Sequence, residues 1–89
     1  MTITEQFQAA QERVKTLTQR PSNEEFLDLY AFFKQATLGD NTTKKPGMFD
    51  MKGQLKWKQW KGKEGQSKDE AMQNYVNHVD ALLEKYDHE

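Results

Sequence analysis

The chain has 89 residues, of which 35% are hydrophobic, 30% charged and 11% aromatic, and it carries a formal net charge of -1. That composition fits one small domain, 1–89, with enough aromatic side chains for a thin core, and it argues against full disorder. The absence of cysteine excludes a disulfide framework, a cysteine-ligated zinc finger and a thiol nucleophile.

Strand signals are weak, while helical periodicity recurs in four segments. In the first, Ile3, Phe7, Ala10, Val14 and Leu17 step by four and three along one stripe. Thr2 with Glu5 reads as a capping box, Thr4 being the other candidate cap, and Pro21 ends the segment.

Ser22-Asn23-Glu24-Glu25 opens a second helix with another capping box and two acids at the positive end of the dipole. Phe26, Leu29, Tyr30, Phe33, Ala36 and Thr37 share one side, and Leu27 and Phe32 widen it, so this helix is expected to pack centrally. Gly39 stands where a C-cap with positive φ belongs.

Asp40 to Asp50 is the longest connection and contains the turn pair Pro46-Gly47. A third helix is expected from Met51, capped by Asp50, to Lys61–Lys63, carrying Leu55, Trp57 and Trp60. Gly53 and Gly62 each cost it about 1 kcal/mol relative to alanine. Ser67-Lys68-Asp69-Glu70 caps the fourth helix, in which Met72, Tyr75, Val76, Val79, Leu82, Leu83 and Tyr86 form an amphipathic face about 30 Å long. The expected fold is all-α, a four-helix bundle whose long connection lets the second and third helices run parallel.

Charge is distributed unevenly. Seven lysines and one acid lie between Lys44 and Lys63, and seven acids and two lysines between Glu64 and Glu89. That pattern permits a local anion site but not a general nucleic-acid coat, as does the pI of 6.1. The longest apolar run, Leu29 to Phe33, is far short of a membrane span, and the N-terminus lacks the regions of a signal peptide, so a soluble cytoplasmic chain with no stable membrane insertion is expected.

Catalysis has little to stand on. His78 and His88 read as surface residues, Ser22 and Ser67 as helix caps, and neither a phosphate loop nor a metal pair is present. Neither a cofactor nor a metal is expected. Tyr30 and Lys34 lie one turn apart with Phe33 beside them, as do Lys52 and Lys56 on the next helix. This places phenol, apolar ring and ammonium on one face, suited to a phosphate and a base. The same spacing equally fits core aromatics with a lysine reaching past them to water.

The run Tyr30-Ala31-Phe32-Phe33-Lys34-Gln35-Ala36-Thr37-Leu38-Gly39-Asp40, with Lys45-Pro46-Gly47-Met48 and Lys56-Trp57-x-x-Trp60 downstream, resembles the signature of the acyl-CoA-binding protein family. The similarity extends in order from Phe7 and Ala10, through Lys15, Pro21-Ser22 and Leu27, to Ala71-Met72, Tyr75 and Val79. It implies an up-down-down-up four-helix bundle that binds long-chain fatty acyl-CoA esters without catalysis. By the same resemblance, Tyr30, Lys34 and Lys56 hold the nucleotide 3′-phosphate and Phe33 stacks on adenine. Tyr75 closes the pocket from the last helix, Lys15 and Ala10 line it from the first, and Leu27 faces the acyl chain with Phe26 beside it.

Three departures stand out. Phe33 replaces a tyrosine, Leu55 a smaller residue, and Lys63 a core leucine, so the end of the third helix is expected to fray or pack differently. The resemblance implies fatty acyl-CoA as the ligand; a monomer is the default for a small soluble bundle, with transient contacts to acyl-CoA-using enzymes or membranes expected and weak dimerisation left open. The alternative reading is a helical interaction domain whose lysine-rich third helix docks an acidic partner.

Overall fold

The structure, a computed structural model, describes residues 1–89. It contains four helices: α1 (Ile3–Val14), α2 (Asn23–Leu38), α3 (Met51–Lys61) and α4 (Lys68–Lys85). The predicted caps start them. Thr2 with Glu5, Ser22 with Glu25 and Ser67 with Glu70 each form a complete reciprocal capping box, and the Asp50 carboxylate accepts from the Gly53 amide. These short polar side chains satisfy amide groups that have no partner within their own helix. Gly39 closes α2 at φ 81 and ψ -152, a backbone region that is essentially closed to residues with a Cβ.

Side-chain pairings define the directions of the helices. The start of α2 meets the end of α4 where Tyr86 bonds Glu25, and the last turn of α2 meets the segment before α4 where Gln35 bonds the Gln66 carbonyl, so α2 and α4 are antiparallel. Arg13 pairs with Asp80 near the ends of α1 and α4, which makes that pair parallel. Lys56 reaches Tyr30 and Trp60 lies by Lys34, so α2 and α3 are parallel as well. This is the up-down-down-up order.

The backbones of α1 and α2 both pack on α4, and α3 packs only on α2. The result is a flat bundle with Cα extents of 38 × 29 × 15 Å. Its accessible surface of 5983 Å² exceeds the ~5,400 Å² typical of a chain of this mass. The core lies between α1, α2 and α4, around Phe7, Ala10, Leu29, Ala36, Ala71, Tyr75, Val76 and Val79. The doubly apolar α2 is central, as its sequence predicts.

Two sequence expectations are corrected. Leu17 does not extend the α1 stripe. The helix stops at Val14 because the Thr16 hydroxyl takes the Arg13 carbonyl at 2.7 Å, competing with helix propagation. Leu17 instead pairs antiparallel with His88, with Thr18 donating to the Asp87 carbonyl and Glu89 to the Thr16 carbonyl, each at 2.9 Å. The other correction is His78, which is half-buried rather than on the surface. Its Nε2 lies 2.9 Å from the Glu25 carbonyl, and since a carbonyl only accepts, Nε2 carries the proton.

The Lys63 departure is resolved without fraying. The Lys63 Nζ pairs with Asp28 at 3.1 Å and sits 4.5 Å from the ring centre of Phe32. The alkyl stem occupies apolar space and the ammonium finds a carboxylate.

Candidate functional site

The long connection is held against α3 by its own polar groups. Trp60 Nε1 donates to the Gly39 carbonyl at 2.8 Å and Trp57 Nε1 to the Thr43 carbonyl at 2.9 Å. The buried Asn41 donates to the Trp57 carbonyl at 3.1 Å and accepts from the Thr43 amide at 2.9 Å. At the end of α2, buried Gln35 donates to Asp40 and to the Gln66 carbonyl, each at 2.8 Å. Asp40 also accepts from the Gly65 amide at 3.0 Å. That amide bond, with help from Gln35 and the nearby Lys61 charge, holds the Asp40 carboxyl below its usual range. These contacts fix α3 alongside α2 in a parallel register.

An open groove of about 480 Å³ runs between the two parallel helices. Phe26, Leu27 and Tyr30 of α2 and Leu55 of α3 supply its apolar wall, while Arg20, Asn23, Lys52 and Lys56 supply the polar rim. The Arg20 guanidinium lies 5.1 Å from the ring centre of Phe26, at the α2 start. At the other end, Lys34 Nζ is 5.7 Å and Lys56 Nζ 5.3 Å from the ring centre of Tyr30, and Lys34 is also 5.7 Å from that of Trp60. Neither Lys34, Lys52 nor Lys56 has a carboxylate partner; the ion pairs of the chain involve Arg13, Lys15, Lys61, Lys63 and Lys85. Two like charges on one tyrosine repel each other, and an anion between them would relieve that repulsion.

The structure divides the residues singled out in the sequence. Leu27, Tyr30 and Lys56 line the groove, and Lys34 joins them through Tyr30. Phe33 and Tyr75 belong to a second cluster with Phe7. Phe33 is 5.9 Å from Phe7 and 6.3 Å from Tyr75, while Phe7 and Tyr75 meet edge-on at 5.0 Å. Phe33 is partly exposed, whereas Tyr75 is 4% exposed and burial pushes its phenol pKa up. Ala10 is 0% exposed; it is a core residue that offers a ligand no surface. Lys15 is exposed at the end of α1, where it pairs with Glu12 at 3.3 Å. Arg20, Asn23 and Lys52 are lining residues that sequence reasoning left out of the site. Lys52, one turn before Lys56, carried a readable signal; Arg20, which precedes Pro21, and Asn23, read only as part of a cap, did not.

Fold and groove together define an all-helical binding domain with a cationic head and an apolar trough. Comparison with known proteins makes this class specific. The profile of the family described as "Acyl CoA binding protein" matches residues 4–79. An acyl-CoA-binding protein homolog of Drosophila melanogaster is 54% identical over 84 residues, 94% of this chain and 98% of that one. Acyl-CoA-binding protein homolog 1 of Caenorhabditis elegans is 55% identical over the same shares. The crystal structure of Oryza sativa acyl-CoA-binding protein 2 superposes with a TM-score of 0.90 at 46% identity, covering 94% of this chain and 93% of that one. The chain belongs to the acyl-CoA-binding protein family.

Proposed function

We propose that the chain is a single-domain, non-catalytic cytoplasmic binder of medium- and long-chain fatty acyl-CoA esters, buffering and delivering them as a monomer. The observation that carries this reading is the convergence of Lys34 and Lys56, both without a carboxylate partner, on Tyr30 at one end of a groove walled by Phe26, Leu27 and Leu55. A ligand with an anionic nucleotide head and an alkyl tail satisfies both parts at once.

In this reading Tyr30, Lys34 and Lys56 hold the 3′-phosphate through charge-assisted contacts. Phe33 stacks on adenine, an interaction worth roughly 1–3 kcal/mol per base. Its missing hydroxyl removes one polar contact, not the stacking face. Tyr75 backs Phe33 from α4, Lys15 meets the head from the end of α1, and Ala10 packs beneath them in the core. Leu27 takes the alkyl chain, with Phe26 and Leu55 on either side.

Each buried methylene contributes about 0.8 kcal/mol before ordering costs, so affinity should climb with chain length and level off where the groove ends. Calorimetric titration with palmitoyl-CoA, free CoA and palmitate tests the reading. Tight one-to-one binding of the ester, with much weaker binding of either half, supports it. An ester that binds no better than free CoA overturns it.

A further inference from the structure

The groove between α2 and α3 is apolar in the middle and cationic at both ends. Lys34 and Lys56 stand at the Tyr30 end. Arg20, Asn23 and Lys52 form the other. The parallel register of the two helices sets this placement. Lys56 meets Tyr30, so Lys52, one turn earlier on α3, is level with Phe26, one turn earlier on α2. The Arg20 guanidinium rests 5.1 Å from the ring centre of Phe26, on the same apolar wall. Leu27 and Leu55 line the trough between the ends, along about 10 Å of helix from Asn23 to Tyr30.

The charge at the far end is unanswered. Neither Arg20 nor Lys52 has a carboxylate partner. Of the acids in the first turn of α2, Glu25 is held by Tyr86 and Lys85, and Glu24 makes no ion pair. Neither acid lines the groove. A methyl-ended alkyl chain is a poor occupant of this end. It would strip water from a guanidinium and an ammonium and return no hydrogen bond to either. A chain that ends in an anion returns a charge-assisted pair. The planar fork of an arginine takes a carboxylate through two parallel bonds.

We propose that the groove accepts fatty acyl-CoA esters whose chain carries a second carboxylate at its far end, with Arg20 receiving that carboxylate and Lys52 supporting it. This deepens the acyl-CoA reading and rests on it. The nucleotide phosphate occupies Lys34 and Lys56, and the tail then runs past Leu27 and Leu55 toward Arg20. In a trough with no cation at its end, a terminal carboxylate is a liability, because the charge loses water and gains no partner. Here Arg20 and Lys52 cancel that penalty. Both side chains are exposed, so the gain in affinity is modest and the effect is one of discrimination between tails. It also depends on chain length, since the carboxylate must reach the guanidinium.

The test is calorimetric titration of the full chain with matched pairs of esters: octanoyl- and octanedioyl-CoA, dodecanoyl- and dodecanedioyl-CoA, hexadecanoyl- and hexadecanedioyl-CoA. The readout is the ratio of the two dissociation constants within each pair. In at least one pair the dicarboxylic ester should bind as tightly as its methyl-ended partner, or up to about fivefold tighter. Arg20→Gln should move that ratio about fivefold against the dicarboxylic ester, and Arg20→Lys, which keeps the charge but not the fork, should restore part of it. Circular dichroism of both variants should match wild type, because Arg20 is exposed and outside the core. A dicarboxylic ester that binds more weakly than its partner in every pair overturns the proposal, as does a ratio that Arg20→Gln leaves unchanged. Either result leaves the acyl-CoA reading standing as long as the methyl-ended esters bind more tightly than free CoA. Methyl-ended esters no tighter than free CoA overturn that reading and the proposal with it.

Discussion

Tyr86 donates its hydroxyl to Glu25 Oε1 at 2.5 Å, joining the last residue of the α4 cap to the first turn of α2. The same carboxylate accepts from the Ser22 amide at 2.8 Å and pairs with Lys85 at 3.2 Å. The Tyr86 hydroxyl is the largest cause, followed by the Ser22 amide, and the carboxyl pKa falls from 4.5 to about 2. A depressed carboxyl stabilises the fold above its unfolded value and loses that contribution as pH falls through its folded value. The advantage of wild type over Glu25→Gln should therefore be full above about pH 5 and shrink towards about pH 2. Urea denaturation midpoints of the two proteins across that range measure it. A gap independent of pH would show that Glu25 acts only through packing.

At the head of the groove, Lys34→Ala and Tyr30→Ala should each weaken palmitoyl-CoA binding at least about tenfold, the equivalent of roughly 1.4 kcal/mol. Helical content should not change, because both side chains are partly exposed and outside the core. Calorimetry with circular dichroism on the same samples checks this. Unchanged affinity in both variants would remove the proposed phosphate site.

Lys63 should tolerate an apolar replacement better than a truncation. Its side chain is 19% exposed, between Asp28 and Phe32. Lys63→Ala loses both the packing of the stem and the ion pair, and is expected to cost about 1–2 kcal/mol. Lys63→Met keeps the packing and should cost less than about half of that. Thermal denaturation of both variants decides. Equal losses would mean that the ion pair, not the stem, holds the end of α3 in place.

Gly39→Ala should destabilise the fold by about 1–3 kcal/mol. The added Cβ would lie 3.8 Å from Lys68 Cε, so space is available and the cost is the positive φ. Gly53 differs, because a Cβ there would fall 2.2 Å from Asp50 Oδ2. Gly53→Ala should therefore displace the α3 cap and cost about 1 kcal/mol despite alanine's better helix propensity. If Gly53→Ala raised the urea midpoint, the Asp50 cap would be dispensable.

The sequence by itself determined the four helices, their capping boxes, the Gly39 stop and the pairing of Tyr30 with Lys34, because each depends on residues within four positions of one another. Its motif strings also carried the family, which the matching profile establishes. Tertiary structure alone decided which side chains from different helices meet. It brought Lys56 to the same ring as Lys34, added Arg20, Asn23 and Lys52 to the groove, and set Phe33 and Tyr75 apart in an aromatic cluster with Phe7. It also drew Leu17 out of α1 to pair with the C-terminal tail, and half-buried His78 against the Glu25 carbonyl. Periodicity gives the face of a helix but not the neighbour it turns toward. That neighbour is set by the packing of α2 between α4 and α3, which the long connection and its tryptophan and asparagine hydrogen bonds hold in register.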